Sequence, residues 1–317
     1  MTQPTHPGAD RVTLLAVPNI SEGRDTAAVD EIAAAFDGRL LDVHTDPDHN
    51  RSVFTLAGEP GALAQRVLAG ASEAIARVDI GVHRGVHPRV GAIDVAPIVY
   101  LDDSSRGAAC AEALVLGDLL GNELELPVFI YGELARGRTR AELRRGGPQE
   151  LARRMETGEL EPDFGPRRLH PSAGAVLVAA RAPLVAFNLE LEPPATLEQA
   201  RAVAATIRER GSDGLSGVRA IGLWLEHRGV AQVSTNVEDH RSTSLADVVA
   251  AVSRHAAVAR AELVGMAPRA AFERFPDDVP ITGFDPQRHL LELALAESGS
   301  TQPPAEPRIR PDARAGA

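Results

Sequence analysis

The chain has 317 residues, of which 44% are hydrophobic and 24% charged, and this is the composition of a soluble globular protein with one large or two modest domains. The formal net charge of −11 argues against a nucleic-acid partner, and no apolar run approaches membrane-spanning length, so with a polar N-terminus we expect a cytoplasmic protein. All 33 basic residues are arginine, which excludes a Schiff-base lysine and a P-loop lysine, and the single Cys110 excludes an intrachain disulfide.

Hydrophobic periodicity in the first half of the chain predicts alternating short strands and helices. In chain order these are a strand over 12–17, a helix over 25–36, strands over 40–44 and 51–57, a helix over 60–77, a strand over 92–100, a helix over 105–121 and a strand over 126–131. The first six of these elements have the order β-α-β-β-α-β, which is that of a ferredoxin-like unit.

The second half repeats this order. Its predicted elements are strands over 175–180 and 184–191, a helix over 195–210, strands over 218–226 and 230–236, a helix over 244–260 and a strand over 262–266. We therefore predict an α+β fold of two ferredoxin-like subdomains with a cleft between them. The predicted units span 11–173 and 174–297, residues 137–173 form the connection, and 298–317 is a disordered tail.

The most informative stretch is His83–Pro97, because it places His87 between Gly85 and Pro88. Both neighbours oppose a helix, so the imidazole stands on a rigid loop that leads into a strand. An imidazole there titrates near neutral pH, where a proton-transfer catalyst is most useful. A structural loop histidine is the alternative if this stretch is taken alone.

Several segments together resemble one family, the formiminotransferase domain. The matching segments cover residues from 14 to about 268, namely 17–24 (VPNISEGR), 41–43 (LDV), 50–52 (NRS), 83–95 (HRGVHPRVGAIDV), 128–133 (VFIYGE), 162–166 (PDFGP), Gly174, Arg181, 186–188 (AFN), 231–236 (AQVSTN) and 263–265 (LVG). Their number and order, rather than any one of them, carry the resemblance.

The resemblance implies two similar α/β subdomains and transfer of the formimino group from N-formimino-L-glutamate to tetrahydrofolate, the acceptor, in histidine breakdown. It also implies that His87 is catalytic, and it suggests a homodimer by analogy. It places the folate-binding segment on Gly165, Pro166, Arg167, Arg168, Leu169, His170, Pro171, Ser172, Ala173 and Gly174. The chain departs from the family pattern at Val86, where Glu is common, and at Ala173, where an aromatic ring is common.

The chemistry that the resemblance implies needs further groups. A carboxylate for the cationic amidinium can come from Asp94 or Glu22, although Asp94 can equally be a strand-start residue that accepts backbone N–H groups. Substrate carboxylates call for arginine forks, for which Arg51, Arg89 and Arg181 are the candidates.

The turn that contains Asn19, Ser21 and Gly23 either forms an anion-binding nest or simply caps a helix. We include Asn19, Ser21 and Glu22 among the predicted substrate-binding residues.

We predict no metal site. His44, Asp46, Asp48 and His49 lie close together in sequence, but on what reads as an ordinary hairpin turn. His83 and His87 are four apart, but Gly85 and Pro88 oppose the helix that such a pair would need.

Three functions stay open from the sequence. They are a glutamate formimidoyltransferase, a folate-independent formiminoglutamate hydrolase that uses the same histidine, and a non-catalytic folate-binding protein, since a ferredoxin-like scaffold alone implies no activity.

Overall fold

A computed structural model describes residues 12–297, so residue 11 and the predicted tail over 298–317 lie outside the described residues. The strands are β1 (Leu14–Ala16), β2 (Asn19–Ile20), β3 (Arg39–Asp46), β4 (Arg51–Gly58), β5 (Ile93–Tyr100), β6 (Val128–Ile130), β7 (Val176–Arg181), β8 (Val185–Leu191), β9 (Val218–Leu225), β10 (Val230–Val237) and β11 (Val258–Val264). The helices are α1 (Thr26–Ala35), α2 (Leu63–Arg77), α3 (Arg106–Glu123), α4 (Arg140–Arg144), α5 (Gly147–Glu156), α6 (Leu197–Ile207), α7 (Leu245–Ser253), α8 (Pro286–His289) and α9 (Leu291–Glu297).

The first sheet confirms the predicted ferredoxin-like unit. Strands β1 and β2 follow one another between β4 and β5, and β3 pairs with the outer side of β4, all antiparallel. Beyond β5 the sheet continues with β7 and then β6, both parallel to their neighbours. The second sheet has the order β11-β8-β10-β9 and is wholly antiparallel, so both halves have the split βαβ topology.

The boundary between the two units differs from the predicted one at 173/174. Strand β7 lies in the first sheet between β5 and β6, so the change of sheet falls between Arg181 and Val185. Periodicity identified β7 as a buried strand but not its partner, because pairing is set by tertiary contacts.

Alternating side chains divide the first sheet into two faces. Leu14 and Ala16 pack with helices α1, α2 and α3 in the larger hydrophobic core. Leu15 points to the other face, where it meets Met266 and Leu291 from the C-terminal half of the chain. The first sheet is therefore buried on both faces and forms one wall of the space between the halves.

The segment 137–173 is more than the connection that we predicted. It contains α4 and α5, and α4 begins with a reciprocal capping box between Thr139 and Glu142. Leu143, Leu151 and Met155 pack onto the face of the first sheet that α1–α3 leave open. The segment thereby brings α4 over one end of that face.

The second sheet shows the same alternation with a different composition. Phe187, Leu189 and Leu191 pack under α6 and α7, whereas the intervening Asn188 and Glu190 lie on the opposite face and are buried. Gln232 and Glu262 join them, since the register pairs Gln232 with Glu190 and Glu262 with Asn188. This polar face is turned toward the first sheet. Among the helices described here, none combines the length and apolar character that crossing a bilayer demands.

Candidate active site

A cleft of about 660 Å³, counted with its open mouth, lies between the two sheets. Its floor is apolar, with Leu15, Val95 and Val99 from the first sheet and Val264 and Met266 from the second half. Five polar residues line it, namely Asn19, Thr55, Arg140, Arg181 and Asn236. An apolar cleft with a few convergent polar groups is the common form of a small-molecule site.

A buried ionic network closes one end of this cleft. Asp94 is fully buried, and its Oδ2 accepts from Arg51 Nη1 at 2.7 Å and from Arg144 Nη2. Arg51 also donates to Asn19 Oδ1 through Nε and Nη2, at 3.1 and 2.9 Å. The other oxygen of Asp94 accepts the Val90 N–H at 2.8 Å. Three predicted site residues, Asn19, Arg51 and Asp94, are thus brought together.

The sequence left two interpretations of Asp94, a carboxylate that faces a cationic group and a strand-start residue that accepts backbone N–H groups. The structure has features of both. It accepts a backbone N–H group, as a strand-start residue would, but its main partners are two guanidinium groups. Burial by itself raises the pKa of Asp94, yet the charges of Arg144 and Arg51 outweigh it and the net pKa is lowered. Burial lowers the pKa of Arg144 to about 10. Asp94 is therefore a buried carboxylate that orients two arginines.

His87 lies on the predicted loop and is half-buried. It is not a lining residue of the cleft, but Arg51 and Arg144 of this network are near enough to act on its charge. Its Nδ1 is 2.7 Å from the carbonyl oxygen of Pro88, which can only accept, so Nδ1 carries the proton and Nε2 holds the free lone pair. Burial lowers the pKa of His87 well below 6.5, and the charges of Arg51, Arg144 and His49 lower it further. At neutral pH the ring is a neutral base.

The loop that carries His87 is held by its own side chains and by a second loop. Arg89 donates to the carbonyl oxygens of His83, Gly85 and His87. Asn50 donates to the Arg84 carbonyl, and a Cβ at Gly85 would stand 2.4 Å from the backbone oxygen of His49. We predicted that Arg89 binds substrate, but in the structure its guanidinium holds the loop. Backbone carbonyls of a loop have no strand partner, so they need other donors.

The sequence left two interpretations of the turn before α1, an anion-binding nest and a helix cap. The N–H groups of Gly23, Arg24 and Asp25 all point at Oε1 of Glu22, at 2.7–2.9 Å. Ser21 is 1% exposed and donates to the Gly91 carbonyl. The nest therefore already holds an internal carboxylate, and α1 is capped separately by Asp25, whose side chain accepts the Ala28 N–H. Neither Ser21 nor Glu22 lines the cleft.

The predicted folate segment, 165–174, runs behind the His87 loop and supplies no lining residue of the cleft. Gly174 forms a bridge with Gly91, where a Cβ would stand 1.9 Å from the Ala175 oxygen, so the two loops touch through glycine backbone. Ala173, where the resemblance led us to expect an aromatic ring, is fully buried in the main core. Arg167 is exposed and pairs with Glu161 at 2.9 Å.

The hairpin loop that raised the metal question joins the two halves. Arg228, in the turn between β9 and β10, donates to Asp46 at 2.7 Å, to Asp48 at 3.4 Å and to Glu190 at 2.7 Å. His227 donates its backbone N–H to Asp48 at 2.8 Å. Within residues 12–297, no group of three or more His, Cys, Asp or Glu side chains is arranged to hold a metal ion.

Sequence reasoning missed two arginines of the site, Arg140, which lines the cleft, and Arg144, which pairs with Asp94. They lie four apart on α4 and so share one helical face. The spacing Thr139-Arg-Ala-Glu142 is a helix-start signal and would have revealed the helix within the presumed connection.

These features define a class: a protein of two ferredoxin-like halves, with a neutral histidine beside an arginine-lined interdomain cleft. A family model described as the N-terminal subdomain of the formiminotransferase domain matches residues 13–181, and a second, described as the formiminotransferase domain, matches residues 186–275. The chain belongs to the formiminotransferase domain family.

Three relatives show the range of this family. A rat protein named formimidoyltransferase-cyclodeaminase is 34% identical over 90% of this chain, which covers only 60% of that protein's length. Two proteins named glutamate formimidoyltransferase, from Streptococcus pyogenes and Thermoplasma acidophilum, are each 32% identical and are covered over 97% and 98% of their lengths. The chain thus spans three fifths of the two-part mammalian relative and nearly all of the bacterial and archaeal ones.

Proposed function

We propose that this protein is a glutamate formimidoyltransferase, which moves the formimino group of N-formimino-L-glutamate to tetrahydrofolate. The observation that carries this proposal is the neutral His87 with a free Nε2, fixed beside two guanidinium groups at the end of the cleft. The names of the bacterial and archaeal relatives support it. Transfer in histidine degradation, in the cytoplasm and by a homodimer are further predictions that accompany it.

The reaction needs a proton carrier between two nitrogens. A folate nitrogen attacks the formimino carbon and forms the new C–N bond, which leaves that nitrogen with a proton to lose. His87 Nε2 accepts this proton and returns it to the glutamate nitrogen as the old C–N bond breaks. A ring that is neutral at the working pH suits the first step, since only the neutral ring can accept.

The cleft arginines are proposed to hold substrate carboxylates. Arg181 donates to the Ala182 carbonyl and also interacts with Tyr131, but its Nε is buried without a partner, so its guanidinium keeps a donor for a ligand. Arg140 lies 3.9 Å from Glu238 and stands over the Tyr131 ring. By contrast, Arg51 is engaged by Asp94 and Asn19, so it offers charge rather than a fork.

Asp94 is proposed as a positioning residue rather than a group that touches substrate. It is completely buried and holds Arg51 and Arg144 on either side of one oxygen. The two arginines in turn disfavour a proton on His87. Asp94 thus helps to set the protonation state of the base through its neighbours.

The segment 165–174 is proposed to contribute to the folate site from outside the cleft. The C-terminal end of this segment contacts residues 90–92, which follow the His87 loop. The contact is a hydrogen bond from the Ala92 N–H to the Ala173 carbonyl. Arg167 and Arg168 are exposed on this segment and are available to an anionic tail.

The test is turnover with and without the acceptor. Purified protein is incubated with N-formimino-L-glutamate, with and without tetrahydrofolate, and glutamate release is measured, with His87→Ala as the matched inactive control. Release that requires tetrahydrofolate supports the transferase. Release without it identifies the hydrolase, and folate binding without release identifies the binding protein; either result contradicts the proposal.

A further inference from the structure

A second histidine lies against His87 and has no role in the reaction described above. The ring centroids of His49 and His87 are 5.9 Å apart, and the ring planes are tilted by 38°. His49 is 7% exposed, whereas most loop histidines contact water. It occupies the 46–50 hairpin loop, which is also the loop that anchors the His87 loop through Asn50.

The other side of the His49 ring is held by the second half of the protein. His49 Nε2 lies 3.1 Å from Oε1 of Gln232, which is on β10 and fully buried. An amide oxygen only accepts, so His49 Nε2 carries a hydrogen and donates it. This bond persists when the ring is protonated, because Nε2 remains a donor in that state.

We propose that His49 is a positioning residue for His87, that Gln232 holds it in place from the second subdomain, and that the positive charge of the His49 ring, when it is protonated, keeps a proton off His87. The catalytic meaning of this inference rests on the proposed function, but its physical content does not.

The charged groups around His87 differ from those around His49. His87 faces two cationic groups, Arg51 from β4 and Arg144 from α4. The carboxylate of Asp94 is bonded to both of these arginines. The His49 backbone N–H is bonded to Asp46 Oδ1, and the other oxygen of Asp46 pairs with Arg228. Two imidazolium rings this close repel each other, so a positive charge on the His49 ring disfavours a proton on His87.

The decisive measurement is the pKa of His87, read by NMR titration of histidine ring signals in the ligand-free protein and assigned with His87→Gln. In His49→Gln the new side chain keeps an amide in reach of Gln232 but bears no charge. The pKa of His87 is then expected to rise by between about 0.5 and about 2, the Coulomb range for unit charges about 6 Å apart at effective dielectric constants of 80 and 20. His255→Gln, which removes an exposed histidine paired with Asp213, is the matched control and leaves His87 unchanged.

A double-mutant cycle tests the link to the second subdomain. Gln232→Leu removes the acceptor that supports the protonated His49 ring, so it raises the pKa of His87 in the same direction. In the His49→Gln background it adds nothing, because it acts through that ring. An unchanged His87 pKa in His49→Gln, or a Gln232→Leu effect that persists in full without His49, overturns the proposal. If Gln232→Leu does not fold, Gln232→Met gives the same comparison.

These titrations contain no substrate, so their outcome is independent of whether formimino transfer occurs. Where transfer does occur, the acid limb of kcat/KM moves to higher pH in His49→Gln along with the NMR value. Failure of turnover with the NMR shift intact contradicts the proposed function alone.

Discussion

Replacing Asp94 by Asn tests the ionic network at the end of the cleft. The substitution keeps the shape of the side chain but removes the charge that faces Arg51 and Arg144, both of which are nearly buried. Breaking a buried ion pair by removing one partner costs about 3–5 kcal/mol, because the remaining charge is left without compensation. This is a large part of the roughly 5–15 kcal/mol that stabilises a typical domain.

The pH dependence of the loss has a definite sign. Since the folded pKa of Asp94 is lowered, its carboxylate stabilises the fold above the unfolded value of about 3.9, and this contribution is lost as pH falls through the lower folded value. The difference between the wild type and Asp94→Asn is therefore full at pH 7 and shrinks below about pH 4.

The assay is urea unfolding of both proteins at pH 7 and at pH 3. Asp213→Asn is the matched control, because Asp213 forms exposed pairs with Arg254 and His255, and such pairs contribute about 0–1 kcal/mol. A loss below about 1 kcal/mol in Asp94→Asn at pH 7 would refute the view that this carboxylate holds the two arginines. So would a difference that stays constant down to pH 3.

Four further outcomes are expected. His87→Ala abolishes transfer but leaves the melting temperature close to that of the wild type, because the half-buried ring leaves little cavity; near-normal turnover would disprove its role. Arg181→Gln raises KM for N-formimino-L-glutamate about tenfold or more, the value of one charge-assisted hydrogen bond, while the exposed Arg201→Gln control does not. Replacing both Arg167 and Arg168 by Ala raises KM for tetrahydrofolate far more than KM for the donor, and equal effects on both would count against the folate segment. Protein treated with a strong chelator keeps its full rate in metal-free buffer, and activity restored by zinc or manganese would show that a metal takes part.

The sequence predicted the order of elements well because that order follows from local periodicity. Apolar alternation in Ala186–Leu191 marks a strand with one core face, and the helical spacing of Leu197–Ile207 marks a helix, whatever their partners. Sheet membership does not follow from periodicity. Strand β7 reads as a fully buried strand in either half, and only its pairing with β5 and β6 assigns it to the first.

The site was predicted in part, for a related reason. Residue type and motif identify Arg51, Arg89 and Glu22 as charged groups near a loop, but the sequence does not say which charges are already neutralised inside the protein. In the structure Arg89 donates to carbonyl oxygens of its own loop, and Glu22 accepts N–H groups of the turn before α1. The pair of His49 and His87 is separated by 38 positions in sequence, so no local pattern announces it.

The short passage from β7 to β8 limits how the protein can open. The linker between the two strands consists of Ala182, Pro183 and Leu184, and it spans about 10–14 Å when fully extended. Pro183 and Leu184 also line the cleft beside Arg181, so this linker forms part of the cleft wall. Five residues after Val185, Glu190 accepts from Arg228, which also donates to Asp46 and Asp48 of the first half. The two halves are therefore joined covalently at the start of β8 and by the ion pairs of Arg228 with Asp46 and Asp48 near its end, which restricts their separation at both places.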